Sequence, residues 1–462
     1  MKMIRSKLEG WRKNLQKTIE SNPWVVSASL AFVTAAMAVQ LFIKINRFAV
    51  NILFSDQWDT YQPIFNGDNA WRIFTAQVGQ LRLGVGGLLS ATVAEATSWN
   101  TRAESFFIGL TMVLIAIAAL YLKRRLFGEI TLWDALIPMI CLSVTLTDVP
   151  IFVPFPSHST VPVLLLLVYA VCLTFENFRI RFASLAIINF LAVFTGWGIF
   201  IGFITPFLLI YLIFFRVTVA QKQEKIWATS VLAASIFSLG FYFYDYIVFT
   251  GVECFKLPHY PLYEYLTFAS LMLSNSVGFA CGRAMIFAKI LGTLLILISA
   301  FVLFKNLWKL LRDKEADTKN LVIVVFLSFS ALFVLSSTVG RVCLGECSAA
   351  AGRYQPLLIP AWLGIYFAVI MLKEQKIRLI FSLLLLLFCF IIPESKSKSY
   401  QGSAEYSRNF KIQWKTCYLE TEDAGRCDKE VGTSIFSPIP SSKAQDRIDY
   451  LKQRHLNFFA DK

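Results

Sequence analysis

The sequence predicts an all-α polytopic membrane protein with about eleven transmembrane helices, a cytoplasmic N-terminus, a large first outer loop and a small outer C-terminal domain. Three observations carry this reading. The chain of 462 residues is 56% hydrophobic and only 16% charged, well below the roughly one quarter charged of an ordinary soluble protein. Apolar runs recur at the roughly 17–25 residues that cross ~30 Å of hydrocarbon. The formal charge of +14 gathers on one side once the runs alternate across a bilayer. That distribution argues for membrane orientation and against a nucleic-acid partner.

Taken in order, residues 1–22 place Ile4, Leu8, Trp11, Leu15 and Ile19 three or four apart, with lysine and arginine opposite. This spacing predicts an interfacial helix on the cytoplasmic leaflet. Ala36-Met37-Ala38 resembles a signal-cleavage site, but the apolar run continues through Phe42, too long for a signal core. Spans are expected at 24–44, 105–122, 131–147, 160–176, 226–248, 286–304, 320–338, 357–372 and 378–393. The stretch 182–215 is too long for one span, and Thr195-Gly196-Trp197-Gly198 at its centre predicts two short spans joined by a hairpin. Alternation then puts Lys123-Arg124-Arg125, Arg179, Arg181, Arg216 to Lys225, Lys305 to Lys319 and Lys373 to Arg378 inside.

The membrane domain is read as 23–393, with a first outer loop at 45–104. Residues 394–462 lose the apolar pattern and are expected to form a periplasmic domain, where Cys417 and Cys427 would pair in an oxidising compartment. Cys343 and Cys347 also lie outside, four apart, a spacing that disfavours a mutual bond in a helix. Cys141, Cys172 and Cys389 fall within spans as small apolar residues.

Candidate chemistry lies in the outer loops. Phe54-Ser55-Asp56-Gln57-Trp58-Asp59-Thr60 sets Asp56 and Asp59 three apart, on one face of a helix. Desolvation near the membrane raises a carboxylate's pKa and suits it to general-base work; the alternative is a solvated capping stretch. Mg²⁺ or Mn²⁺ is the cofactor such a pair would hold; otherwise none is expected. Gln77, Gln80 and Arg82 precede Gly84, Gly86 and Gly87, with Arg82 either an anion-binding or a snorkelling arginine. Arg341 and Arg353, with Tyr354, form a second cluster, with Glu346 placed to pair with one arginine. Guanidinium forks match phosphate oxygens; the alternative is positive residues that merely flank spans. His158 is a lone histidine at an outer span end, either structural or in contact with a substrate. No Cys/His spacing supports zinc, and no nucleotide-binding fingerprint is present.

At these residues the chain resembles polytopic bacterial membrane glycosyltransferases of the GT-C class, including those that modify O-antigen. The matches are Asp56-Gln57-Trp58-Asp59 to an Asp-Glu-Trp-Asp-like motif, Gln77 to Arg82 to a Gln-His-x-x-His-Arg-like motif, and Gly340-Arg341…Gly345…Gly352-Arg353-Tyr354 to Gly-Arg…Gly…Ser-Arg-Tyr. Gln57 stands for glutamate, Val78 and Leu81 for histidines, and Gly352 for serine. The resemblance implies transfer of a sugar from a polyprenyl-phosphate donor to a lipid-linked glycan at the outer face of the inner membrane. Asp56 or Asp59 would be the base; Arg341, Arg353, Arg82, Tyr354, Trp58, Gln77 and His158 would bind substrate. An O-antigen polymerase and a non-enzymatic assembly or transport protein are the alternatives. A transporter is disfavoured because the spans are nearly free of charge.

Overall fold

Apolar stretches that cannot pair their backbone with water fold as helices, whose hydrogen bonds close within the segment. The computed structural model describes residues 23–152, 158–216, 222–248, 254–279, 281–282, 284–313, 317–436 and 441–460, and it is almost wholly helical. The expected interfacial helix at 1–22 lies outside the described residues. Among the described residues, seven helices are long and apolar enough to cross a membrane: Pro23–Phe48, Thr101–Phe127, Gly196–Phe215, Lys222–Phe243, Met285–Arg312, Thr318–Leu344 and Gln375–Ser395. The protein is an α-helical, multi-pass membrane protein.

The remaining expected spans are helical but shorter. Phe178–Val193 is separated from Ile199–Tyr211 by a tight turn at Gly196–Gly198, where the sequence places the hairpin. Thr160–Cys172 and Ile359–Ile370 are single short helices. The run 131–147 is broken: a 3₁₀ turn at Leu132–Ala135, a helix at Leu136–Cys141 and another 3₁₀ turn at Val144–Leu146. Hydrophobicity there marks burial rather than one continuous helix. Pro138 lacks a donor for the ladder, and the Ser143 and Thr145 hydroxyls bond each other.

Close helix approach needs small residues. Gly292 of Met285–Arg312 lies against Tyr263–Asn275, where an added Cβ would sit 1.8 Å from the Ser270 carbonyl oxygen. One apolar core runs through the helices. A fully buried network, in which Lys123 meets Asp134 at 2.7 Å and the Tyr366 hydroxyl donates to Asp134 at 2.6 Å, joins three helical segments where Thr101–Phe127 ends.

A second core lies at the opposite end. It contains Ile52, Leu53, Trp58, Tyr61, Ile64 and Trp99 from the first loop together with Trp414, Tyr418, Phe436, Ile448, Phe458 and Phe459 from the tail. Among the described residues the tail therefore has no core of its own, and loop and tail fold as one cap. Asn457 fastens the union: its amide donates to Asn51 Oδ1 and to the Trp99 carbonyl, and its backbone N–H to the Ser98 carbonyl.

Candidate functional site

Asp56 stands at the N-cap of the short helix Gln57–Thr60, where its side chain makes no capping bond. It accepts a 2.6 Å bond from Arg353 Nη1, joining the first loop to the connection that follows Thr318–Arg341. Both side chains stay substantially exposed, at 38% and 46%. Two motifs 297 positions apart in sequence thus meet at the surface. Asp59 turns elsewhere, to Arg447 of the tail at 3.7 Å. Burial raises the Asp59 pKa, repulsion from Asp56 adds to this, and Arg447 opposes it. Arg447 also donates to the Trp58 carbonyl and the Gln62 side chain. A Mg²⁺ or Mn²⁺ ion at the acidic pair would have to displace both guanidinium groups.

The arginine cluster assembles around Tyr354, which is 2% exposed. Arg341 Nη1 donates to the Tyr354 hydroxyl at 2.6 Å, and both Arg341 and Arg353 lie over the Tyr354 ring. Arg341 also covers Trp197 from the hairpin turn. His158 is partly buried beside them. Burial, then the positive charges of Arg341 and Arg353, lower its pKa to about 3, so its imidazole is neutral. Glu346 does not pair with either arginine; Lys289 takes it at 2.8 Å. Next to Tyr354, Gln355 is 3% exposed, and neither of its amide atoms has a partner among the described residues.

Disulfides hold this connection. Cys254–Cys343 and Cys281–Cys347 bind it to the segment before Met285–Arg312, so Cys343 and Cys347 each reach across rather than to each other. Cys417–Cys427 closes a turn in the tail, as the sequence predicts.

Three expected site residues serve the scaffold. Trp58 is fully buried in the cap core between Phe65 and Phe436. Arg82 is 7% exposed, and its guanidinium donates to the carbonyls of Thr75, Tyr242 and Tyr244. Gln77 donates to the Gly79 and Ile247 carbonyls and accepts from the Ile247 N–H. Together Gln77 and Arg82 clamp the chain leaving Lys222–Phe243. They sit on a two-stranded hairpin whose register pairs Gln77 with Arg82 and Val78 with Leu81. The two positions where the resemblance expects histidines are thus an apolar cross-strand pair.

Two acids escaped the sequence reading. Glu104 is 1% exposed and accepts from Ser90 Oγ at 2.7 Å and from the Tyr61 hydroxyl and Gln57 Nε2 at 2.9 Å. This explains Gln57: a glutamate there would set two carboxylates against each other. Asp148 begins the helix Asp148–Phe152, beneath Gly352. Its position at the end of an apolar run was the available signal, since an acid there has little water to solvate it. Comparison with known protein families, curated proteins and solved structures finds no match.

Proposed function

We propose that this protein transfers a sugar from a polyprenyl-phosphate donor to a lipid-linked glycan at the outer face of a bacterial inner membrane, as a GT-C-like enzyme of surface-polysaccharide modification. The observation that carries the proposal is the meeting of Asp56 with Arg353 beside Arg341 and Tyr354. Arg353 is exposed enough to exchange a carboxylate partner for a phosphate, and a guanidinium fork suits either anion. Asp56 then acts as an internal anion that keeps Arg353 in place until the donor arrives.

In the reaction, an acceptor hydroxyl oxygen bonds to the anomeric carbon while the bond from that carbon to the phosphate oxygen breaks. The electron pair leaves on the polyprenyl phosphate, whose charge the two arginines stabilise. A carboxylate takes the hydroxyl proton; the resemblance gives this role to Asp56 or Asp59. Three disulfides at this end support an oxidising outer compartment. Nucleotide sugars are not available there, which favours a lipid-linked donor.

The test is binding of undecaprenyl phosphate to the full chain in nanodiscs, followed by native mass spectrometry. Arg353→Lys and Arg341→Lys keep the charge but lose the fork, and should weaken binding about tenfold or more. Wild-type binding in both variants would remove the phosphate site from the account.

A further inference from the structure

Most acids around the cap are already engaged. Asp56 has Arg353, Asp59 has Arg447, Glu346 has Lys289, and Glu104 has three donors. Asp148 differs. No ion pair or hydrogen bond engages it among the described residues, and its Oδ1 is shut off from solvent without a donor, although the residue as a whole is partly exposed. A buried polar atom without a partner destabilises the fold, and a catalytic role is one explanation for keeping it.

The carboxylate lies directly against the arginine connection. A Cβ at position 352 would lie 3.0 Å from Asp148 Cβ and 3.5 Å from its Oδ2. Any side chain at 352 would crowd Asp148, so glycine in place of the serine of the related motif lets the arginine connection pack directly against the carboxylate, one residue before Arg353. Of the titratable groups on the elements packed against Asp148–Phe152, Tyr400 feels the charge of Asp148, and Lys411, Glu104, Arg102, Lys44 and Arg47 have other partners. From Ser397–Thr421, Lys411 donates to the Ile151 and Phe152 carbonyls at 3.0 and 2.7 Å, and burial lowers its pKa to about 7. On the same helix, burial and then the charge of Asp148 raise the Tyr400 pKa, so it remains a neutral phenol. Glu104 and Arg102 of Thr101–Phe127 turn to the first loop and to Asn46. On Pro23–Phe48, the charge acting on Lys44 is Glu394, and Arg47 lies over the Phe48 ring.

We propose that Asp148 is the catalytic base that takes the proton of the acceptor hydroxyl, and that Asp56 is a positioning residue for Arg353. This inference rests on the glycosyl-transfer reading above. The acceptor O–H proton passes to the Asp148 carboxylate as the oxygen bonds to the anomeric carbon, and the phosphate leaves with its electrons toward Arg341 and Arg353. A base must be ionised to work. Burial raises the Asp148 pKa to about 7, so the rate rises as pH increases through about 7.

The test uses the full chain in nanodiscs and in membranes of expressing cells. Undecaprenyl phosphate is the binding probe, and the mass of the lipid-linked glycan reads transfer from about pH 5.5 to 8.5. Asp148→Asn should bind undecaprenyl phosphate as wild type does, transfer at least ~10²-fold more slowly, and lose the acidic limb of the profile. Asp148→Glu should retain measurable transfer with the limb displaced. Asp56→Asn should keep the wild-type limb while weakening undecaprenyl phosphate binding. Wild-type transfer with an unchanged limb in Asp148→Asn overturns the proposal, as does loss of probe binding in both Asp148 variants, which would make the residue structural. Wild-type membranes that bind the probe but add no sugar at any pH overturn the glycosyl-transfer reading itself, and the proposal with it.

Discussion

Gln57→Glu tests the reason this chain departs from the acidic motif. The Gln57 amide donates to Glu104 at 2.9 Å inside the cap, where Gln57 is fully buried and Glu104 is 1% exposed. Two carboxylates cannot both be ionised at that distance, so the pair must hold a proton. Protonating a carboxyl whose unfolded pKa is about 4.3 costs about 4 kcal/mol at pH 7, and about 1 kcal/mol at pH 5. The sign follows from linkage. The new carboxyl has a raised pKa in the folded state, so the folded protein binds the proton more tightly than the unfolded chain. Its stability is recovered below the unfolded value and lost as pH rises. Thermal unfolding in detergent, followed by cap tryptophan fluorescence, should show Gln57→Glu close to wild type at about pH 4.5 and melting well below it at pH 7.5. A variant as stable as wild type at both values would refute the account of Gln57 and of the Glu104 network.

Two further outcomes follow. Arg82→Ala should destabilise the protein by about 2–4 kcal/mol, because three carbonyls lose their donor, while undecaprenyl phosphate binding per folded molecule stays unchanged. An unaltered melting temperature with lost probe binding would return Arg82 to the ligand site. Alkylation after unfolding without reductant should label three of the nine cysteines, Cys141, Cys172 and Cys389, and all nine after reduction. Label on Cys254, Cys281, Cys343 or Cys347 before reduction would contradict the bonds that brace the arginine connection.

What was legible in the sequence is what depends on local pattern. Apolar length located the helices, and Thr195–Gly198 located the hairpin, because glycine punctuates backbone directly. The Cys417–Cys427 bond was legible because both residues lie in one short polar stretch. Chemical type also brought out Asp56 and Arg353, which the fold joins. Long-range pairing was not legible. Nothing in periodicity says that Gln57 meets Glu104, that Cys254 meets Cys343, or that the first loop and the tail share one core. Trp58 and Arg82 misled for a related reason. An aromatic beside two acids and an arginine beside glycines look like ligand groups, whereas here one fills a core and the other satisfies carbonyls. Asp148 was hidden because it reads as the polar end of an apolar run, and only the approach of Gly352 gives it a setting.

The central claim is sugar transfer, and the glycans report it directly. Mass spectrometry of lipid-linked and surface glycans from cells with the wild-type chain, with an Arg341→Ala/Arg353→Ala chain and without the chain should show one sugar increment in the first sample alone. Loss of polymer length rather than of one sugar would favour a polymerase, and identical profiles in all three samples would contradict the claim.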